Sequence, residues 1–266
     1  LVHLTENTPR SNTSGFGHGL PIDKIVHAGY LVEDLDAAIT PKTKWLILNS
    51  PSNPSGAGYT RDDLKALADV LMRHPQVWVM TDDIYEHVIY DGFEFSTIAQ
   101  VEPGLKDPTL TLNGMSKAYC MTGWRLGYGG WPKDLIEPAT RLAINCHSCV
   151  NAATQYAGIA ALEGPQDAVD DMVRAFDERR RVIVDELNQT PGVTCTDPGG
   201  AFYAFANISG TGITAAEFQD RMLNEANVAT IAGTSFGHFG EGYVRFSYAN
   251  SRENIKAAIG RIQESL

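Results

Sequence analysis

At 266 residues the chain can bury a sizeable core as one large domain or one and a half. Its make-up, 43% hydrophobic and 20% charged with 25 glycines and 13 prolines, excludes collagen-like, coiled-coil and extensively disordered classes. A net charge of −11 argues against a nucleic-acid binder, which needs a basic face, and against docking on an anionic membrane.

No apolar run reaches the ~18 residues of a membrane-spanning helix, and no basic-then-apolar leader opens the chain. The four cysteines, Cys120, Cys146, Cys149 and Cys195, are too few for a disulfide framework and fit a reducing cytoplasm. Cys146-His147-Ser148-Cys149 is formally a C-x-x-C. With no second pair at ligand spacing it reads as two partly buried thiols on one helix, and no metal site is expected.

Residues 1–27 are rich in Gly, Ser, Thr, Asn and Pro without a period, and the glycine-dense stretch 15–19 reads as loop. A short helix is predicted over 32–39 and a buried strand over 45–48. Residues 49–58 form a loop. Thr60 caps a helix to about residue 73, with Asp62 and Asp63 in the turn where the helix dipole favours them. Strands follow over 77–80, 109–112 and 125–130. Apolar residues at helical period then predict helices over 135–144, 152–162 and 167–187, the last two separated by Gly164-Pro165. Short strands over 193–195, 201–205, 228–231 and 243–247 and helices over 214–226 and 252–262 complete the chain. Alternation of strand and helix predicts an α/β fold with a mostly parallel sheet flanked by helices, then a smaller α+β domain. The expected division is 1–164 and 165–266.

Four segments concentrate chemistry. In Gly114-Met115-Ser116-Lys117, a lysine sits in a Gly/Ser-flanked turn behind an apolar run, and Arg125 follows eight residues on. A lysine is a nucleophile only when desolvated or set near other cations, and the arginine fork also suits a phosphate. The plain alternative is a solvated loop lysine. The loop Asn49-Ser50-Pro51-Ser52-Asn53-Pro54-Ser55-Gly56 holds Asn53, in what is otherwise an ordinary turn. Asp82 is the first polar group beyond a strand end, where open α/β sheets place ligands, and Tyr85 follows it. A capping Asp with a packing Tyr is the alternative. Asp83 and Glu86 read as facing solvent or pairing locally. Arg245 lies in an apolar strand and needs an anion, either a ligand or an internal salt bridge. No H-x-x-x-H or G-x-S-x-G supports a metallohydrolase or serine hydrolase.

In this order and spacing, from about Tyr30 to the C-terminus, the four segments resemble the class I and II aminotransferases of the pyridoxal-phosphate fold type I superfamily. Residues 114–127 resemble that family's lysine signature. Within it the chain is most similar to the bacterial and archaeal aspartate aminotransferases. Pro198-Gly199-Gly200-Ala201-Phe202-Tyr203 and Gly233-Thr234-Ser235-Phe236-Gly237 also look like family segments, or are structural turns.

The resemblance implies a transferase of amino-acid metabolism with pyridoxal 5′-phosphate held on Lys117 as a Schiff base. It implies that Asp82 faces the ring nitrogen, that Asn53 and Tyr85 bond the phenolic oxygen, and that Arg125 and Ser116 hold the phosphate. It implies that Arg245, with Asn53, binds the substrate carboxylate. Aspartate and 2-oxoglutarate are the expected substrates, a homodimer the expected assembly, and neither nucleic acid nor membrane an expected partner. Other fold type I reactions, lyase or decarboxylase, use the same lysine and aspartate. The family's phosphate cradle and ring-stacking aromatic have no counterpart in residues 1–30. With Leu1 at the start, the expectation is that an N-terminal part is missing, and a truncated, non-catalytic domain stays an alternative.

Overall fold

The computed structural model describes residues 31–266. The reading of the glycine-dense stretch 15–19 lies outside them. Helix α1 (Leu31–Ala38) leads into strand β1 (Trp45–Asn49), whose inward residues Leu46 and Leu48 are buried while its neighbours are half-buried. Helix α2 (Arg61–Leu71) starts at a capping box: the Thr60 hydroxyl accepts from the amide of Asp63, and the Asp63 carboxylate accepts from the amide of Thr60. Its buried Leu64, Leu67, Ala68 and Leu71 follow the i, i+3, i+4, i+7 spacing of one helical face. That face packs with Leu35, Leu46, Leu48, Val79 and Ile98 into one core.

Strands β2 (Trp78–Asp82) and β3 (Thr109–Gly114) run parallel to β1, and β4 (Gly127–Gly130) closes the sheet antiparallel, in the order β1-β2-β3-β4. The register sets Asn49 beside Asp82, so two polar residues end adjacent strands at the same edge. The mostly parallel sheet expected from sequence is therefore present. The strand predicted from residue 125 starts later because Arg125 is left-handed, at φ 56°, a conformation no strand residue holds.

Helices α3 (Lys133–His147), α4 (Ala152–Glu163) and α5 (Asp167–Asn188) follow. The apolar spacing in α3 buries nothing within the described residues, and Ile136, Leu142 and Ile144 are exposed. Cys146 and Cys149 are also exposed, and Cys149 lies beyond the end of α3, so the expectation of partly buried thiols on one helix is corrected. Ser148 at φ 62° turns the chain out of the helix between them.

The second sheet is antiparallel, β5 (Tyr203–Asn207), β7 (Tyr243–Ser247) and β6 (Ile231–Ala232), in the order β5-β7-β6. Helices α5, α6 (Ala215–Asn224) and α7 (Arg252–Ser265) bury Ile183, Leu187, Phe218, Met222, Ile255 and Ile259 against it. The strand predicted over 193–195 reduces to one bridge, Thr194 with Asn207. The strand predicted from residue 201 begins at Tyr203 because Ala201 is left-handed, at φ 57°. Its carbonyl accepts from the hydroxyls of Tyr90 at 2.5 Å and Tyr248 at 3.1 Å instead of joining a ladder.

Several contacts bind the sheets to each other, among them an ion-pair cluster and a close approach of two backbones. Arg180 on α5 is 2% exposed and pairs with Asp177 and Asp91, both at 2.7 Å, with its guanidinium 4.8 Å from the ring of Tyr90. The 49–58 loop meets the 198–203 segment so closely that a Cβ on Gly200 would lie 2.5 Å from Pro51. These contacts press the start of β5 against the ends of β1 and β2. Among the described residues, no helix is long and apolar enough to cross a membrane.

Candidate active site

The site forms where the parallel strands end. Lys117 lies in the turn after β3, held by backbone bonds from Met115 to Leu126, from Cys120 to Lys117 and from Met121 to Met115. Its ammonium stands 5.7 Å from the ring of Tyr85 and 5.4 Å from that of Phe202. It also lies near enough to Asp82 to pull that carboxyl's pKa down, although burial prevails and the net shift is upward. An acid so placed gains from a further cationic partner.

Asn53 and Arg245 meet across 192 residues of chain: an Nη of Arg245 donates to Oδ1 of Asn53 at 2.7 Å. That bond fixes the amide's orientation and leaves Nδ2 as a donor. The guanidinium lies over two rings, 4.6 Å from Tyr203 and 5.0 Å from Phe236. Its Nε is buried without a hydrogen-bond partner, and among the described residues no carboxylate forms a salt bridge with it. A cation held this way is an anion receptor.

Arg125 and Ser116 are placed by the same turn but are not drawn into this cluster by any contact between side chains. Arg125 donates to the carbonyl of Thr122 at 3.0 Å. It lines an open cavity of about 650 Å³ with Gly123, Trp124, His147 and Asn151. Ser116 is half-buried beside Lys117.

Asp83 does not face solvent but pairs locally. It is 3% exposed, accepts from the Thr81 hydroxyl at 2.5 Å, and burial pushes its pKa from 3.8 up to about 6. Its neighbour Glu86 lies 3.4 Å from His87 and also accepts from Asn113, 27 residues on. The folded state keeps the Asp83 proton over a pH range where the unfolded chain has released it. This contribution to stability is complete below pH ~4 and is lost as pH rises through about 6. We expect Asp83→Asn to remove that slope. The variant should exceed the parent by up to about 3 kcal/mol at pH 7.5 and by much less at pH 4.5, read from urea unfolding at both pH values.

Asn49 was missed in sequence, although it is a polar residue ending an apolar strand. Its Nδ2 donates to the carbonyl of Asp82 at 2.9 Å, and its Oδ1 accepts from the amide of Asn53 at 2.8 Å. It joins the acid to the loop. Asn49→Leu is expected to cost about 2 kcal/mol in urea unfolding, two partly buried hydrogen bonds at ~1 kcal/mol each.

The model of the family "Aminotransferase class I and II" matches residues 24–262. The chain belongs to this family. It is 46% identical to the aspartate/prephenate aminotransferase of Cereibacter sphaeroides, over 99% of its own length and 66% of that relative. It is 47% identical to the aspartate aminotransferase of Rhizobium meliloti, over 98% and 64%. The crystal structure of a Rhizobium meliloti aspartate aminotransferase superposes with a TM-score of 0.85 at 44% identity, covering 90% of this chain and 62% of that one. An aromatic aminotransferase from Pyrococcus horikoshii gives 0.84 at 40%, covering 88% and 62%. The chain thus spans slightly under two thirds of these relatives. Its sheet and helices are those of the fold type I neighbours, as the sequence led us to expect.

Proposed function

We propose that this chain carries the catalytic core of an aminotransferase that moves an amino group between an amino acid and a 2-oxo acid. The observation that carries the reading is the convergence of Lys117, Asp82 and Tyr85 beside Arg245, a cation with a buried, unpaired donor. This donor set fits pyridoxal 5′-phosphate. It offers one amine between aromatic rings, one carboxylate with a raised pKa, and a phenol next to both. When bound, the cofactor supplies an aldehyde that carries the amino group and a ring that accepts electrons.

In this proposal Lys117 would be the covalent anchor, and its amine, when free, would take the proton from the substrate Cα and return it on the other side of the transfer. Asp82 holds the ring nitrogen protonated. The Tyr85 hydroxyl and Asn53 Nδ2 donate to the phenolic oxygen. Arg125, with Ser116, holds the phosphate. The Arg245 fork pairs with the substrate's α-carboxylate, which also satisfies its Nε.

The names of the relatives support aspartate as amino donor; 2-oxoglutarate as acceptor is what the family resemblance implies. We further propose a homodimer working in the cytoplasm, where the exposed thiols of Cys120, Cys146 and Cys149 stay reduced. Residues 1–164 are assigned to the cofactor-binding domain and 165–266 to the small domain. The test is to add pyridoxal 5′-phosphate, aspartate and 2-oxoglutarate to the purified protein. Glutamate and oxaloacetate should form in equal amounts and only when both substrates are present. Oxo acid or CO2 released over many turnovers per site without an acceptor overturns the transaminase reading in favour of a lyase or decarboxylase.

A further inference from the structure

We propose that Tyr203 is a positioning residue whose hydroxyl donates to Tyr85, leaving the Tyr85 proton free for the cofactor's phenolic oxygen. The inference rests on the cofactor reading above.

The two hydroxyls lie 3.0 Å apart, the rings meet edge to face at 6.0 Å and 84°, and both residues are buried. Neither hydroxyl makes another hydrogen bond among the described residues. Two hydroxyls facing each other share one proton between them. If Tyr85 donates to Tyr203, it has nothing to offer a third oxygen. If Tyr203 donates, Tyr85 keeps a proton to give. An anionic oxygen beside Tyr85 selects the second arrangement, and the resulting chain O–H···O–H···O⁻ strengthens along its length.

Sheet register holds Tyr203 in this place. In the antiparallel pair, Tyr203 lies opposite Ser247 and Phe205 opposite Arg245, so Tyr203 and Arg245 are diagonal neighbours on one face. The Arg245 guanidinium lies over the Tyr203 ring, 4.6 Å from its centroid, and helps to hold the ring in place. The charged groups around Tyr85 are Asp82, Lys117 and Arg245. Burial, with the Tyr203 bond added, raises the Tyr85 pKa, so Tyr85 acts as a protonated donor.

The test uses the protein reconstituted with pyridoxal 5′-phosphate and follows the visible absorbance of the lysine-bound cofactor against pH. Donors to the phenolic oxygen favour the form in which the adjacent nitrogen has lost its proton, because the oxygen is then most basic. Losing a donor therefore raises the midpoint. Tyr85→Phe is expected to raise it by ~1 pH unit, and Tyr203→Phe, which keeps the ring under Arg245, by ~0.3 unit. Adding Tyr203→Phe to Tyr85→Phe should change nothing further, which a merely structural role would not produce. A 3-fluorotyrosine at position 203 keeps the hydroxyl and donates more strongly, so it should lower the midpoint. A parent-like midpoint in Tyr203→Phe, an undiminished shift in the Tyr85→Phe background, or an upward shift with fluorotyrosine overturns the role of Tyr203 alone. A parent protein that forms no lysine-bound chromophore overturns the cofactor reading, and this inference with it.

Discussion

Lys117→Ala is expected to abolish the visible absorbance that pyridoxal 5′-phosphate acquires on the parent protein and to lower transamination by at least ~10⁴-fold. Two functions disappear together: the covalent anchor and the amine that moves the Cα proton, the latter alone supplying ~10²–10⁴-fold in rate. The fold should survive, because the turn is held by main-chain bonds at Met115, Cys120 and Met121 that do not involve the Lys117 side chain. Lys117→Arg separates the contributions. It keeps a cation beside Asp82 but is never neutral at working pH, so it should restore the charge without restoring the spectrum or the rate. An unchanged spectrum in Lys117→Ala would falsify the assignment.

Arg245→Lys is expected to reduce kcat/KM by ~10–10²-fold, mainly through KM, because two charge-assisted hydrogen bonds of ~1.5–3 kcal/mol each become one point-charge contact. The ligand-free protein should respond differently. Arg245 holds a buried Nε without a partner and has no salt bridge among the described residues, so the empty site already bears a desolvation cost. Arg245→Met should therefore leave unfolding in urea unchanged or shift it to higher denaturant while abolishing protection by a dicarboxylate. A large loss of stability in that variant would mean that the arginine belongs to an internal ion pair, the alternative left open by the sequence. Such a pair would need a carboxylate partner that the described residues do not provide.

The elements that position the site were largely legible. The capped helix α2, the short apolar strands and the turn behind β3 depend on periods and caps within a few residues of each other. Two of the slips trace to a single backbone angle each. Arg125 and Ala201 both carry apolar or extended-looking neighbours, yet both are left-handed, and each delays a predicted strand by two residues. Ala201 holds that conformation because Tyr90 and Tyr248, 111 and 47 residues away, donate to its carbonyl. Of the two readings of Asp83, local pairing holds and solvent exposure does not. An acid next to another acid looks solvent-facing until the strand beneath it is seen to end inside the protein.

By itself, the sequence determined the alternation of strands and helices, the lysine turn, the acid at a strand end and the arginine in an apolar strand, along with the family that combines them. These are local signals, because side-chain period, turn chemistry and motif spacing are written along the chain. Only the tertiary structure decided which of these groups touch. The bond from Arg245 to Asn53 spans 192 residues and that between Tyr85 and Tyr203 spans 118. Asn49 reaches Asp82 only because two strands run parallel in one register. Such contacts depend on how sheets align and how closely backbones approach, and no period in the chain records either.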